Sequence, residues 1–589
     1  MGSKIKEKQE IRYKPYSQDI IINIPLLLEE AVKSNALVKI VNEVVERIDI
    51  SSLWVYYSNK GCPPYHPHLM IKVWVYGFCN KIYTSRPLAK KLREDLCFMW
   101  LAGGQQPCFK TLSTFRGCRM QGMIEDIFKE VLLYLLEHDY IDLDDLYIDG
   151  SKWEANANKY KIIWRKNTER YKQAVLERID ALLSEIVDLQ NQEDAQYGLK
   201  GLKCMEDAAA ITLELNSKRL GQTIQQVNDL VALQSNKQQA RKLKSLSNKL
   251  SKEQRNLRKY EQQEVSLAGR NSYSKTDEDA TAMRMKDDAL KPGYNPQITT
   301  SNQFIVNSSI HQNASDSVTF PAHLGLMEER VVDVVGPVWQ PDWTGDAGYG
   351  SEENYELLKD KQMQAFLKYP SWYQEQSGKI KKKPYHKYNW EYKESKDYFI
   401  CPQGRKLLFV EEVERSNKNG FVQQLKIYEC ESCLDCPVFK ACRGERASKD
   451  TNRRVHVNEN LETHKAKVKV SLDSEAGKEK RSKRGVEVET PFGNIKFNMG
   501  HRRFILRGLE KVNIEFTLLA IAHNLRKVYC ERTGVWKEYY AQRAARSSKK
   551  KKKKKKKLNF IEKIGCVLLW WHRSCQSSAQ PNHILKIKI

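Results

Sequence analysis

Three acids stand far apart in this chain, each in a setting that could do chemistry. Asp149 closes the short apolar run "LYIDG", Asp346 lies in the glycine-rich turn "GDAGYGS", and Glu489 lies in "VETPFGNIK", seven residues before Lys496. A lone Asp after a strand is ordinarily a turn former, and an acid at a helix start is ordinarily favoured by the helix dipole. Brought together by a sheet, the three would form a different object. Their hard oxygen donors suit two Mg²⁺ or Mn²⁺ ions. Two such ions about 4 Å apart activate an attacking oxygen and stabilise the leaving oxygen of a phosphodiester. Glu487 and Glu515 are rival third acids. The Glu489–Lys496 spacing is two helical turns along one face, and Glu515 sits in an apolar helical run with no such Lys.

A second constellation is made of thiols. "CPQG" supplies Cys401, and "YECESCLDCPVFKAC" supplies Cys430, Cys433, Cys436 and Cys442. This density and spacing fit a structural Zn²⁺ site. Cys433, Cys436 and Cys442 are the first three candidates; Cys430 and Cys401 compete for the fourth place. A loop of reduced thiols is the plain alternative.

The elements that must position these residues follow from patterning along 589 residues. Lys and Arg outnumber Asp and Glu by 99 to 73, a formal charge of +26, which suits a polyanionic partner. No apolar run is long enough to span a bilayer, and "MGSKIKEKQEIRYKPYS" has no apolar signal region. Its Lys6 stands where a myristoylation signal wants Ser or Thr. The expected class is a multidomain α+β or α/β chain. Residues 1–140 read as a helical domain that could bind DNA. Residues 141–164 begin the core with the strand carrying Asp149. Residues 165–270 place Leu176, Ile179, Leu183, Ile186, Leu243, Leu246, Leu250 and Leu257 at helical spacing, which predicts two long helices paired as an antiparallel coiled-coil arm. Residues 271–373 continue the core with two strands around an Asn-rich turn, a helix beginning near Asp316, the Asp346 turn, and a helix beginning at Ser351. Residues 374–475 form the cysteine-bearing insertion. In residues 476–535 a helix is expected to start at "VETPFG", followed by a basic break and a long amphipathic helix. Residues 536–589 hold the lysine run Lys549–Lys557, a disordered basic tract. The residues after the run break the pattern and suggest a shifted reading frame.

Several blocks together resemble one family. They are "GCPPYHPHLMIKVWVYGFCNKIYTSRPLAKKL", "TLSTFRG", "YIDGSKWEANANKY", "KPGYNPQI", "GDAGYGSEENY", "VETPFGNIKFNMGHRRFILRGLEKV" and "AIAHNLRK". In this order they resemble the DDE-type transposases of bacterial insertion sequences, over roughly residues 10–535. The resemblance implies an RNase H-like mixed sheet with flanking helices behind a helical N-terminal domain. It implies cleavage at the element's terminal inverted repeats and strand transfer into target DNA, with Asp149, Asp346 and Glu489 as the catalytic acids on two Mg²⁺ or Mn²⁺ ions. Lys496 matches the family's DNA-contacting Lys. Arg484 lies five residues before Glu489, but the family's Tyr and Arg positions are Ser482 and Gly485 here, so that half of the pattern is not carried over. Arg484, Arg502, Arg503 and Arg507 are candidate DNA contacts; a solvated basic face is the bland reading of the last three. A homodimer holding two element ends, a cytoplasmic, nucleoid-associated bacterial location and no membrane are further expectations. No phosphate-binding G-x-x-x-x-G-K-[ST] loop is present, so no ATP is expected. The alternatives are a catalytically inactive, zinc-stabilised DNA-binding remnant and a general metal nuclease.

Overall fold

The computed structural model describes residues 14–18, 21–22, 26–32, 36–51, 57, 62–197, 216–233, 236–336, 339–448 and 450–535. The lysine run and the segment after it lie outside the described residues. Met1–Asn524 form one compact unit and Leu525–Ile589 a second, of which residues 525–535 are described. No helix among the described residues is long and apolar enough to cross a membrane.

The N-terminal part is helical, built on α1 (Ala36–Glu46), α2 (Pro67–Cys79), α3 (Ser85–Glu94) and α4 (Ile124–Glu137). Pro67 opens α2, where its missing N–H costs no helical bond. Leu69, Met70, Val73, Trp74 and Phe78 are all buried, so α2 is the domain's central helix. Two of its basic residues turn inward. Lys72 is fully buried against Glu46 and the Tyr16 hydroxyl, and the Arg116 guanidinium lies 4.2 Å from the centre of the Trp74 ring.

A mixed sheet of seven strands follows. It comprises β1 (Asp145–Gly150), β2 (Trp153–Glu154), β3 (Thr281–Arg284), β4 (Leu290–Ser301), β5 (Phe304–His311), β6 (Asp342–Gly345) and β7 (Gln364–Leu367). β7, β6 and β1 run parallel; β4 is antiparallel to β1 and also pairs with β2, β3 and β5. The β4–β5 hairpin turns on Asn302 and Gln303, both with positive φ, as a two-residue hairpin turn demands. Between strands lie α8 (Asp316–Val335) and α9 (Glu352–Asp360), numbered after the arm helices below. Helix α9 is capped by Ser351, whose hydroxyl accepts the Asn354 N–H.

The arm departs from the expected pair of helices. Its described residues form α5 (Arg165–Tyr197), α6 (Ser217–Leu233) and α7 (Lys237–Leu267), with α5 and α6 both packed on α7 around Ile179, Leu183, Leu220, Leu246 and Leu250. Asn236 caps α7 by accepting the Gln238 N–H. That cap starts a fresh helix where apolar periodicity alone runs on.

The cysteine-bearing stretch forms a five-stranded antiparallel sheet of β8 (Glu391–Lys393), β9 (Tyr398–Ile400), β10 (Lys406–Ser416), β11 (Val422–Cys430) and β12 (Arg454–Val457). Then come α10 (Glu459–Asp473), α11 (Glu475–Gly493) and α12 (Leu509–Thr533). Here another expectation fails: Glu489 sits near the end of α11, not at a helix start. The first turns of α11 are mostly charged and show no apolar stripe, so periodicity does not reveal them. They are held by ion pairs to strand acids.

Glu515 of α12 is completely buried and accepts bonds from the backbone N–H groups of Ile505 (2.9 Å) and Leu506 (2.8 Å), with His501 Nε2 at 2.7 Å. It ties down the basic turn and is not a free acid. Glu515→Ala leaves buried N–H groups unpaired and should cost about 2–4 kcal/mol, measured as a lower urea midpoint.

Candidate active site

Strand register places the two aspartates. β1 and β6 are parallel, with Asp145 opposite Asp342 and Tyr147 opposite Thr344. The same offset carried past the strand ends sets Asp149 level with Asp346. Adjacent strands lie about 4.8 Å apart, so two carboxylates of like charge meet at the C-terminal edge of the sheet, where parallel strands commonly open a binding crevice.

Helix α11 answers that charge. One turn apart, Lys480 and Arg484 each bridge an opposed pair. Lys480 Nζ bonds Asp145 and lies 2.6 Å from Asp342. Arg484 Nη2 lies 3.0 Å from Asp149 Oδ1 and 3.6 Å from Asp346 Oδ2. Burial lowers the Lys480 pKa, but its two aspartate partners outweigh that and raise it. Asp149 moves the other way for an acid: its pKa rises to about 6. Burial is the main cause, the charges of Asp346 and Asp316 add to it, and Arg484 and the Gly150 N–H oppose it.

Asp316 is a site neighbour that patterning places only at a helix start. Its Oδ1 accepts bonds from Asn295 Nδ2 and Gln297 Nε2, each at 2.9 Å. A Cβ added to Gly348 would lie 3.0 Å from Asp346 Oδ1 and 3.2 Å from Asp316 Oδ2, so the two carboxylates flank one glycine. The available signal was Asn295, Gln297 and Thr299, three polar residues at alternate positions of a strand, hence on one face. All three are buried.

Lys496 comes close to Asp149 by another route. After α11 the chain makes a wide turn over Asn494–Asn498. Lys496 Nζ then lies 2.6 Å from Ser151 Oγ and 4.2 Å from the centre of the Trp153 ring. Burial lowers its pKa to about 8, helped by Lys286 and opposed by Asp149. Glu489 is not gathered in. Its side chain is exposed, and no bond joins it to Asp149 or Asp346. Glu487, its neighbour, accepts the Gln303 N–H at 2.6 Å.

The downstream arginines serve the protein's own backbone. Arg503 donates to the carbonyls of Ala155 and Ala157 at 3.1 Å each, and Arg507 to that of Asn156 at 2.7 Å. Together they clamp the loop after β2. Arg502 is exposed, with its guanidinium 5.1 Å from the centre of the Phe497 ring.

The five cysteines Cys401, Cys430, Cys433, Cys436 and Cys442 line one cavity, together with Trp390 and Phe439. Burial pushes the Cys430 thiol up to about 12, and nearby Cys433 and Cys401 add to the shift. Burial also raises Cys442, against Arg453 and with Cys433, Cys401 and Cys436.

Donor chemistry and donor geometry differ in how well they suit metals. Asp149 and Asp346 offer hard oxygens to one point, where the Arg484 guanidinium lies. Yet among the described residues no three of His, Cys, Asp and Glu stand close enough, as placed, to hold an ion. The aspartate pair fits a divalent cation; the third carboxylate is not in place.

Two stretches match known families. Residues 400–529 match the Transposase DDE domain, and residues 26–118 match the Transposase domain (DUF772). Together the two matches support a DDE-type transposase of the insertion-sequence kind. The DDE match takes in the cysteine cluster, Glu489 and Lys496, whereas Asp149 and Asp346 precede it. No curated protein and no solved structure matches the chain.

The raised Asp149 pKa has a thermodynamic sign. An ordinary Asp loses its proton near 3.8, and folded Asp149 keeps it to about 6. Between those values the native state binds the extra proton, so this group's contribution to stability declines as pH rises through the window. Asp149→Asn should therefore gain on the native protein by about 2 kcal/mol between pH 4 and pH 7.5. Urea midpoints at the two pH values check this; an equal difference at both contradicts it.

Proposed function

We propose that this transposase cuts DNA at the ends of its element and joins the freed ends to target DNA, with Asp149, Asp346 and Glu489 as its catalytic carboxylates. The observation that carries the reading is the level pair of partly buried aspartates at the ends of adjacent parallel strands, in a chain that matches a DDE transposase domain. The spatial order β5–β4–β1–β6–β7, with only β4 antiparallel among the central strands, supports an RNase H-like core. Divalent Mg²⁺ or Mn²⁺, when bound, supplies an acidified water and a charge against the leaving oxygen.

This chain's own groups bind and orient. Asp149 and Asp346 present oxygens to one point. Glu489 stands on the exposed side of α11, and no hydrogen bond or ion pair among the described residues holds it elsewhere. Lys496, braced by Ser151 and Trp153, offers an ammonium beside Asp149 for a DNA phosphate. Arg502 adds an exposed cation on the same stretch, while Arg503 and Arg507 shape the loop beneath it. The reaction is phosphoryl transfer, in which positioning and charge stabilisation dominate. Two element ends need two active sites, so the working form in this reading is a homodimer on DNA.

The cysteine module is a structural zinc site in this reading on donor chemistry alone: five thiols line one cavity at the base of the β10–β11 hairpin, though as placed no three of them stand close enough to hold an ion. The runner-up function, a DNA-binding remnant without chemistry, draws on one observation, the outlying Glu489.

Cleavage of terminal-repeat DNA with Mg²⁺ separates the two. Asp149→Ala, Asp346→Ala and Glu489→Ala should each lose several kcal/mol of charge stabilisation, on the order of 10²-fold or more in rate. An Asp149→Ala protein that cuts at the native rate would refute the assignment. For the thiols, metal analysis should find zinc in the native protein and much less in Cys433→Ser and Cys436→Ser. Native protein free of zinc removes that part of the reading.

A further inference from the structure

We infer that Arg484 is a displaceable stand-in for the metal. Its guanidinium bridges Asp149 and Asp346, and a divalent cation enters only as the side chain withdraws. The inference rests on the proposed role of these two aspartates as metal ligands.

The two bridging cations of α11 are built differently. Lys480 hydrogen-bonds both members of its pair, which are the first residues of β1 and β6, at the far ends of the strands from Asp149 and Asp346. It is a lock. Arg484 hydrogen-bonds only Asp149, at 3.0 Å; its approach to Asp346, at 3.6 Å, is an ion contact too long for a hydrogen bond. Its Nε is buried with no partner. The guanidinium is therefore incompletely satisfied where it stands, and a buried N–H without an acceptor favours departure.

A dication and a guanidinium cannot share this point. Like charges a few ångström apart in a half-buried site repel strongly, and the two carboxylates supply too little charge to neutralise both. Loading of the site therefore expels Arg484. A DNA phosphate is the natural acceptor for the expelled group, because guanidinium and phosphate form charge-assisted bidentate bonds. Lys496 already places one cation near Asp149, with its ammonium on Ser151 Oγ. DNA and metal then favour one another, since each draws on the withdrawn state, and the coupling is reciprocal. The device keeps the site closed to metal until DNA is present.

The test reads Mn²⁺ affinity by electron paramagnetic resonance or calorimetry, with the full chain. Without DNA, Arg484→Gln should bind Mn²⁺ at least tenfold more tightly than the native protein, and Arg484→Lys should fall between them. Thermal melting confirms folding of each variant. A second measurement needs no variant: terminal-repeat duplex should tighten Mn²⁺ binding by the native protein severalfold, after subtraction of ions bound by the duplex alone. Equal affinity with and without DNA, or an Arg484→Gln protein that folds and binds Mn²⁺ no more tightly, overturns the inference. Asp149→Ala with Asp346→Ala separates the two levels. If that double variant still binds Mn²⁺ like the native protein, the metal reading itself fails. If it loses Mn²⁺ while Arg484→Gln gains nothing, only the stand-in role fails.

Discussion

Two carboxylates of like charge, level with each other on neighbouring parallel strands, repel. This chain sets up that arrangement twice, at Asp145–Asp342 and at Asp149–Asp346, and meets it from one helix. Lys480 and Arg484 sit one turn apart on α11, and each faces its pair. The geometry explains why a helix whose first turns are mostly charged packs on a sheet at all. It also sets the direction of α11, which carries Glu489 and leads into the turn that holds Lys496.

The rest of the site follows from that alignment. The chain beyond α11 brings Lys496 onto Ser151 and Trp153, and Arg503 and Arg507 onto the loop after β2. Glu515 then ties the basic turn to α12 from below. Basic residues thus divide into two kinds. Some are consumed by the fold, holding strand acids or backbone carbonyls. Arg502 is held more loosely: exposed, it makes only a long bond, 3.4 Å, to the Lys496 carbonyl. Net charge does not separate the two kinds.

The insertion reaches the same neighbourhood from the other side. Asn417 and Asn419, at the tip of the β10–β11 hairpin, hold the two oxygens of Glu353 at 2.7 and 2.9 Å. Gln423 and Asn458 hold Glu352 at 3.0 and 2.6 Å. Both glutamates lie in the first turn of α9, just after the Asp346 loop. The thiol cluster at the base of the hairpin and the acids at the sheet edge are therefore parts of one connected structure.

Much was legible without coordinates. Alternating and apolar runs marked β1, the β4–β5 hairpin and α8, and the Asn302–Gln303 turn announced itself by residue type. The blocks around Asp149, Asp346, Glu489 and Lys496 marked the family, because each is local and side-chain identity carries the signal. What the sequence could not supply was depth and register. Whether Arg507 meets DNA or a carbonyl, whether Glu515 is free or buried, and which cation lies between Asp149 and Asp346 depend on strands and helices distant in the chain. Asp316 and the early turns of α11 were missed for the same reason: polar residues carry no period that distinguishes a charge paired across a sheet from one left in water.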